Sequence, residues 1–136
     1  MSGTSSGIVT ADRGERKMRM ITRLAGEERL SGAVVAGGFV WLAGQVADDP
    51  TADAEAQTAD ILRQIDALLA EAGTDKRALL SITVVLADIA DAAAMNRAWD
   101  AWLDPAAKPA RMTIQAMLVD PRWKVEITGV ALAPPA

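Results

Sequence analysis

Apolar residues change their spacing several times along the chain, and each change marks an element. From Arg29 to Ala36 and from Phe39 to Val46 two β-rich runs are separated by Gly37-Gly38, the length and glycine content of a tight hairpin. A shorter run from Met18 to Leu24 is a strand candidate ahead of them, with Ala25-Gly26-Glu27-Glu28 as the turn between. Val40-Trp41-Leu42-Ala43 is continuously apolar, the pattern of a strand buried on both faces. After Asp49-Pro50-Thr51 the period lengthens. Ile61, Ile65, Leu68, Leu69 and Ala72 then recur on one helical face, with Thr51 or Asp53 as N-cap and Gly73 as the stop. Leu80 to Leu86 is rich in β-branched residues and predicts a central strand. A second helix is predicted from about Asp91 to Leu103, with Met95, Ala98, Trp99 and Trp102 as its buried stripe.

The last third alternates with period two. In the run Pro109 to Leu118, Arg111, Thr113, Gln115 and Met117 fall on one face, and Met112, Ile114, Ala116 and Leu118 fall on the other, so one face reads as core and the other as chemistry. Asp120-Pro121-Arg122 turns the chain into a final strand, Lys124 to Leu132, with Val125 and Ile127 on its apolar side and Glu126 and Thr128 on its polar side. The order β-β-β-α-β-α-β-β, with short connections, predicts a mixed sheet carrying both helices on one face, an α+β fold. The other, largely apolar face then needs a cover, and in a chain this size a second copy supplies it most simply. If the last two strands are antiparallel neighbours with residue 118 opposite 124, Arg111 and Glu126 lie roughly 16 Å apart at about 3.3 Å per residue, so a site using both needs two chains.

Composition narrows the chemistry. The chain has 136 residues, enough for one domain with a real core, and half of them are apolar. It has no Cys, His or Tyr, which removes a thiol nucleophile, the commonest general base and the usual zinc and iron–sulfur ligands. No Asp/Glu group has the spacing of a Ca²⁺ or Mg²⁺ loop, so no metal and no cofactor is expected. Net charge is −4 with scattered basic residues, a poor match to nucleic acid. No apolar run approaches the ~20 residues of a membrane span, and a cytoplasmic location is expected. Residues 1–17 are rich in Ser, Gly and Thr and read as a disordered leader, with 18–136 as the single domain.

Four features in order resemble the Rid family, the reactive intermediate deaminases or YjgF-like proteins. They are Leu42-Ala43-Gly44-Gln45-Val46, the segment Asp91 to Trp99 containing Asn96, Pro109-Ala110-Arg111, and Glu126 fifteen residues after that arginine. The resemblance runs from about Met20 to Leu132. It implies a chorismate-mutase-like fold, a homotrimer with ligand clefts between subunits, and Arg111, Gly44, Asn96 and Thr113 as substrate-binding residues. Arg111 and Glu126 would be catalytic, Arg111 holding a substrate carboxylate and Glu126 a water. The activity implied is hydrolysis of 2-imino or 2-amino-enoic acids to 2-keto acids and ammonia. The family's tyrosine is replaced here by Leu30 and its serine by Ala43, as suits a more apolar substrate. The alternative is a trimeric keto-acid-binding or regulatory protein without turnover, and a ribonuclease fits an acidic chain without His poorly.

Overall fold

The computed structural model describes residues 20–135. Six strands form one sheet: β1 (Ile21–Gly26), β2 (Ser31–Ala36), β3 (Phe39–Gln45), β4 (Leu79–Leu86), β5 (Ala110–Gln115) and β6 (Val125–Leu132). Two helices, α1 (Ala54–Glu71) and α2 (Ala92–Trp102), lie in the connections flanking β4. The predicted element order is the observed one, and the proposed leader, with the Met18 start of the first strand, falls outside the described residues.

Local signals account for most boundaries. Gly37 and Gly38 take φ +60 and +85, the left-handed values that a two-residue hairpin loop requires and that glycine adopts without strain. Of the two N-cap candidates for α1, Asp53 is the one used, its Oδ1 accepting from Ala56 N at 2.8 Å, a contact worth about 1 kcal/mol. Gly73 at φ +86 ends that helix.

The strand order is β1-β2-β3-β6-β4-β5, with β4 and β5 parallel and every other pair antiparallel. β6 is therefore inserted between β3 and β4, and the expected β5–β6 pairing does not occur. The parallel pair follows from α2, which carries the chain back to the end of the sheet where β4 began.

Register assigns every side chain to a face. Val40, Leu42, Ile82, Val84, Leu86, Val125, Ile127 and Ala131 all point towards the helices and form one core with Ile61, Leu62, Ile65 and Leu69 of α1 and Met95 and Trp99 of α2. Among the described residues nothing covers the opposite face, which is largely apolar. Trp41 is 49% exposed and Met112 55%, with Phe39, Ile114 and Leu132 also exposed. Two expectations are corrected here. Val40 to Ala43 is buried on one face only within this chain. On β5 it is the Met112 and Ile114 face that is open, whereas Arg111, Thr113 and Gln115 share the helix side with Ile82, Val84 and Leu86. β5 also stops at Gln115, leaving Met117 and Leu118 in the following loop.

Candidate functional site

Two groups of candidate residues are assembled in different places. The first is at the end of β3. Pairing of β3 with β6 shifts register between Leu42 and Gln45, and Thr128 Oγ1 on β6 donates to Leu42 O at 2.6 Å across that irregularity. The shift sets Gly44 directly over Glu126. A Cβ on Gly44 would stand 2.9 Å from the Glu126 carboxyl carbon and 3.0 Å from one of its oxygens, closer than real Cβ contacts come. Any larger residue here would push aside the carboxylate beside it.

Gly44 opens onto a cleft of about 380 Å³ whose walls include Leu30, Ala43, Gln45, Leu68 and Trp123. Leu30 and Ala43, the positions where the resembled family carries hydroxyls, are thus neighbours in space although thirteen residues apart, and they make the wall apolar. The carboxylates of the lining are those of Glu27 and Asp48, with Glu126 behind Gly44 rather than in the wall, and among the described residues no lysine or arginine contributes to it.

Gln57 fixes this end of the molecule, and sequence reasoning missed it. It is fully buried. Its Nε2 donates to Ala52 O at 2.9 Å and to Pro50 O and Arg122 O at 3.3 Å, while its Oε1 accepts from Lys124 N at 2.9 Å. One amide therefore ties the start of α1 to both sides of Trp123, the far side being Lys124, just before β6 and two positions before Glu126. The available signal was a glutamine four residues before Ile61 on the apolar stripe of α1, since a polar group placed there must find partners. The turn itself is clamped by Arg122, which donates from Nε and Nη2 to the two Asp120 oxygens at 3.2 and 2.8 Å. That side-chain hydrogen bonding holds the Asp120 carboxyl below its ordinary pKa.

The second group is on β5 and α2. Arg111 lies over the Trp99 ring, with Cζ 5.1 Å from the centroid, and its Nη1 donates to Met95 Sδ at 3.8 Å. Among the described residues no carboxylate stands within ion-pair distance of it. Thr113 follows two residues on along the same face and is half-buried, and Asn96 is half-buried on α2 next to Met95. Gln115, at the end of this face, accepts from Ile89 N at 2.8 Å and ties β5 to the approach to α2.

One chain does not bring the two groups together. Arg111 pairs with Ile82, which pairs with Gly129, whereas Glu126 pairs with Val85, which faces Ile114. The offset of three residues and two strand spacings is about 10 Å along and about 10 Å across, some 14 Å in all. Being odd, it also puts the two side chains on opposite faces of the sheet. The sequence-based separation was of similar size, but it assumed that the last two strands are neighbours, and that assumption is corrected.

Residues 20–133 match the family model described as Endoribonuclease L-PSP. The chain belongs to this family. It is 46% identical over 112 residues to a RutC family protein of Haemophilus ducreyi, covering 82% of this chain and 96% of that one. It is 45% identical over 111 residues to the RutC family protein YoaB of Escherichia coli, again with 82% and 96% coverage. Among solved structures, NMB1025 of Neisseria meningitidis, a member of the YjgF protein family, superposes with a TM-score of 0.82 at 40% identity, over 88% of this chain and 99% of that one. Yeast Mmf1 shares the fold at a TM-score of 0.78, covering 85% of this chain and all of its own, with 19% identity. Family and mixed α+β fold thus agree with the sequence-based reading. Among the described residues no helix is long and apolar enough to cross a membrane.

Proposed function

We propose that the protein is a homotrimeric imine and enamine deaminase, with its active site formed where Arg111, Thr113 and Asn96 of one subunit meet Gly44, Glu126 and the apolar cleft of the next. The observation that carries this reading is the division of the candidate residues into two incomplete halves. Among the described residues, one half holds a cation with no carboxylate beside it, and the other holds carboxylates with no cation. The exposed apolar face bearing Trp41, Phe39, Met112, Ile114 and Leu132 supports self-association, because a patch of this kind marks an interface. A contact between two different surfaces of the same chain closes into a ring when the rotation allows, and a trimer is the smallest such ring beyond a dimer.

In this site the Arg111 guanidinium holds the carboxylate of a 2-imino acid through its planar fork. Glu126, beside Gly44, orients a water and accepts its proton as the oxygen adds to C2 of the imine. Glu126 passes that proton to the nitrogen, giving the carbinolamine; its hydroxyl proton then moves to the nitrogen as the C2–N bond breaks and C2=O forms, so ammonia leaves and a 2-keto acid remains. Imines hydrolyse unaided in water, so positioning and one general base suffice and no cofactor is needed. Leu30, Ala43 and Trp123 favour a substrate with an apolar side chain. The family model's description raises ribonuclease activity as a second reading, but a chain with net charge −4, no His and no basic run does not favour binding a phosphate backbone.

Titration of a 2-keto acid into the protein, paired with imine hydrolysis rates, tests the assignment. Glu126→Gln is expected to bind the keto acid normally and lose turnover. Loss of binding and turnover together would assign Glu126 to the ligand rather than to the water, and retention of both would remove it from the site.

A further inference from the structure

Five arginines among the described residues are held in two different ways. Arg63, Arg77, Arg97 and Arg122 each meet a carboxylate, that of Asp60, Asp104, Glu55 and Asp120 respectively. Arg111 is held instead by an indole face and a thioether, both buried and both uncharged. The indole is itself fixed. Trp99 packs against Trp102 at 5.5 Å between ring centroids and 52° between planes. Trp102 donates from Nε1 to Asp66 on α1 at 2.9 Å, and Lys76 Nζ sits 5.0 Å above its ring. Two packed rings, Trp99 and Trp102, thus stand between two cations, Arg111 and Lys76, and carry the edge strand β5 into the packing of the two helices.

The two kinds of partner differ in what they leave available. A carboxylate engages the guanidinium edge, so a ligand carboxylate would have to displace it. An aromatic face attracts the cation through its quadrupole and engages the plane, and a thioether accepts one weak hydrogen bond. Most of the five N–H donors stay free, and the charge is not neutralised. The rotamer freedom that a long side chain loses on binding has also been lost already, in folding.

We propose that Trp99 is a positioning residue for Arg111, presenting the guanidinium with its plane fixed and its edge open to a substrate carboxylate. This rests on the reading of Arg111 as the carboxylate anchor and adds the device that orients it. Trp99 touches no substrate in this account and acts only through Arg111.

The test measures binding of 2-oxobutyrate by ligand-observed NMR to the full chain and to variants whose melting temperature and assembly are unchanged. Trp99→Leu, which keeps an apolar filling but removes the ring face, is expected to weaken binding about 2- to 30-fold, the range a cation–π contact supplies. Trp99→Phe, which keeps a ring face, should recover most of that loss. In an Arg111→Lys background the Trp99→Leu effect should shrink to less than about twofold, because the planar group that the indole orients is gone. Full affinity in Trp99→Leu, or an undiminished effect in the Arg111→Lys background, overturns the proposal and leaves Trp99 a core residue. Unchanged affinity in Arg111→Lys alone overturns the underlying anchor reading instead. Should Trp99→Leu fail to fold, graded fluorination of tryptophan incorporated at position 99 alone weakens that ring's quadrupole at nearly constant shape. Affinity falling stepwise with fluorine content supports the proposal, and a flat series refutes it.

Discussion

Replacing Gly44 by alanine separates the catalytic demand on that position from the structural one. The added Cβ would lie 2.9 Å from the Glu126 carboxyl carbon and 3.2 Å from its Cγ. Ordinary van der Waals contact begins near 3.4 Å, so the carboxylate must retreat by about half an ångström. The obstructing atoms are the end of a flexible side chain, and a Glu126 rotation relieves the contact without moving backbone. Alanine in a strand is favoured over glycine by roughly 0.5–1 kcal/mol, so the fold should be as stable as before or slightly more so. Misplacing a catalytic group by 1 Å costs about 100-fold, so half that displacement should lower imine hydrolysis on the order of tenfold, close to 1.4 kcal/mol of barrier. The assay is 2-keto acid release from a freshly generated imine, with thermal unfolding alongside. Gly129→Ala is the control. Its Cβ would meet the Ser81 carbonyl oxygen and Ile82 Cδ1, both at 2.6 Å, and backbone cannot swing aside, so it should destabilise by about 1–3 kcal/mol. Full activity in Gly44→Ala would refute the reasoning, as would a loss of stability matching that of Gly129→Ala.

The remaining expectations concern assembly and support. Sedimentation should give three chain masses at micromolar concentration, and Trp41→Glu should give one, because it places a charge on the apolar face without touching the core of the single chain. Gln57→Leu should destabilise by about 1–3 kcal/mol, since Lys124 N and the carbonyls of Ala52 and Arg122 lose a partner; a denaturant midpoint unmoved by the change would show that solvent replaces the amide. A chain lacking residues 1–17 should keep its melting temperature and its assembly, and loss of either would make the leader structural.

Periodicity made the element order legible because each element here has a long enough run of its own spacing. The glycine pair of the hairpin and the Ile61, Ile65, Leu68 and Leu69 stripe of α1 are both used as predicted. Strand order was not legible. Whether β5 pairs with β6 or with β4 depends on which neighbour buries more, and both strands alternate in the same way. The face assignment of β5 failed for a related reason. Met112 and Ile114 are apolar yet exposed in this chain, whereas the helix side at the sheet edge accommodates Arg111 over Trp99. Alternation tells which residues share a face and not which face the helices cover. Candidate site residues could be named from the sequence, and their grouping in space could not. Arg111, Asn96, Gly44 and Glu126 came from ordered motifs, but the division into halves on opposite faces needed the register. Gln57 escaped notice because its importance lies in four backbone partners drawn from two distant segments.

The central claim is that the arginine half of one subunit and the carboxylate half of the next form a deaminating site. The most direct measurement is the rate of ammonia release from a freshly generated 2-imino acid with an apolar side chain, comparing wild type with Arg111→Lys and with an equal mixture of Arg111→Lys and Glu126→Gln chains. Each single variant should be nearly inactive, Arg111→Lys because loss of the fork weakens carboxylate binding by roughly 10- to 150-fold, equivalent to 1.5–3 kcal/mol. The mixture, after subunit exchange, should regain a fraction of wild-type activity, because some interfaces then combine an intact Arg111 with an intact Glu126. Wild type that leaves the spontaneous rate unchanged would contradict deamination, and active single variants whose mixture gains nothing would contradict the shared site.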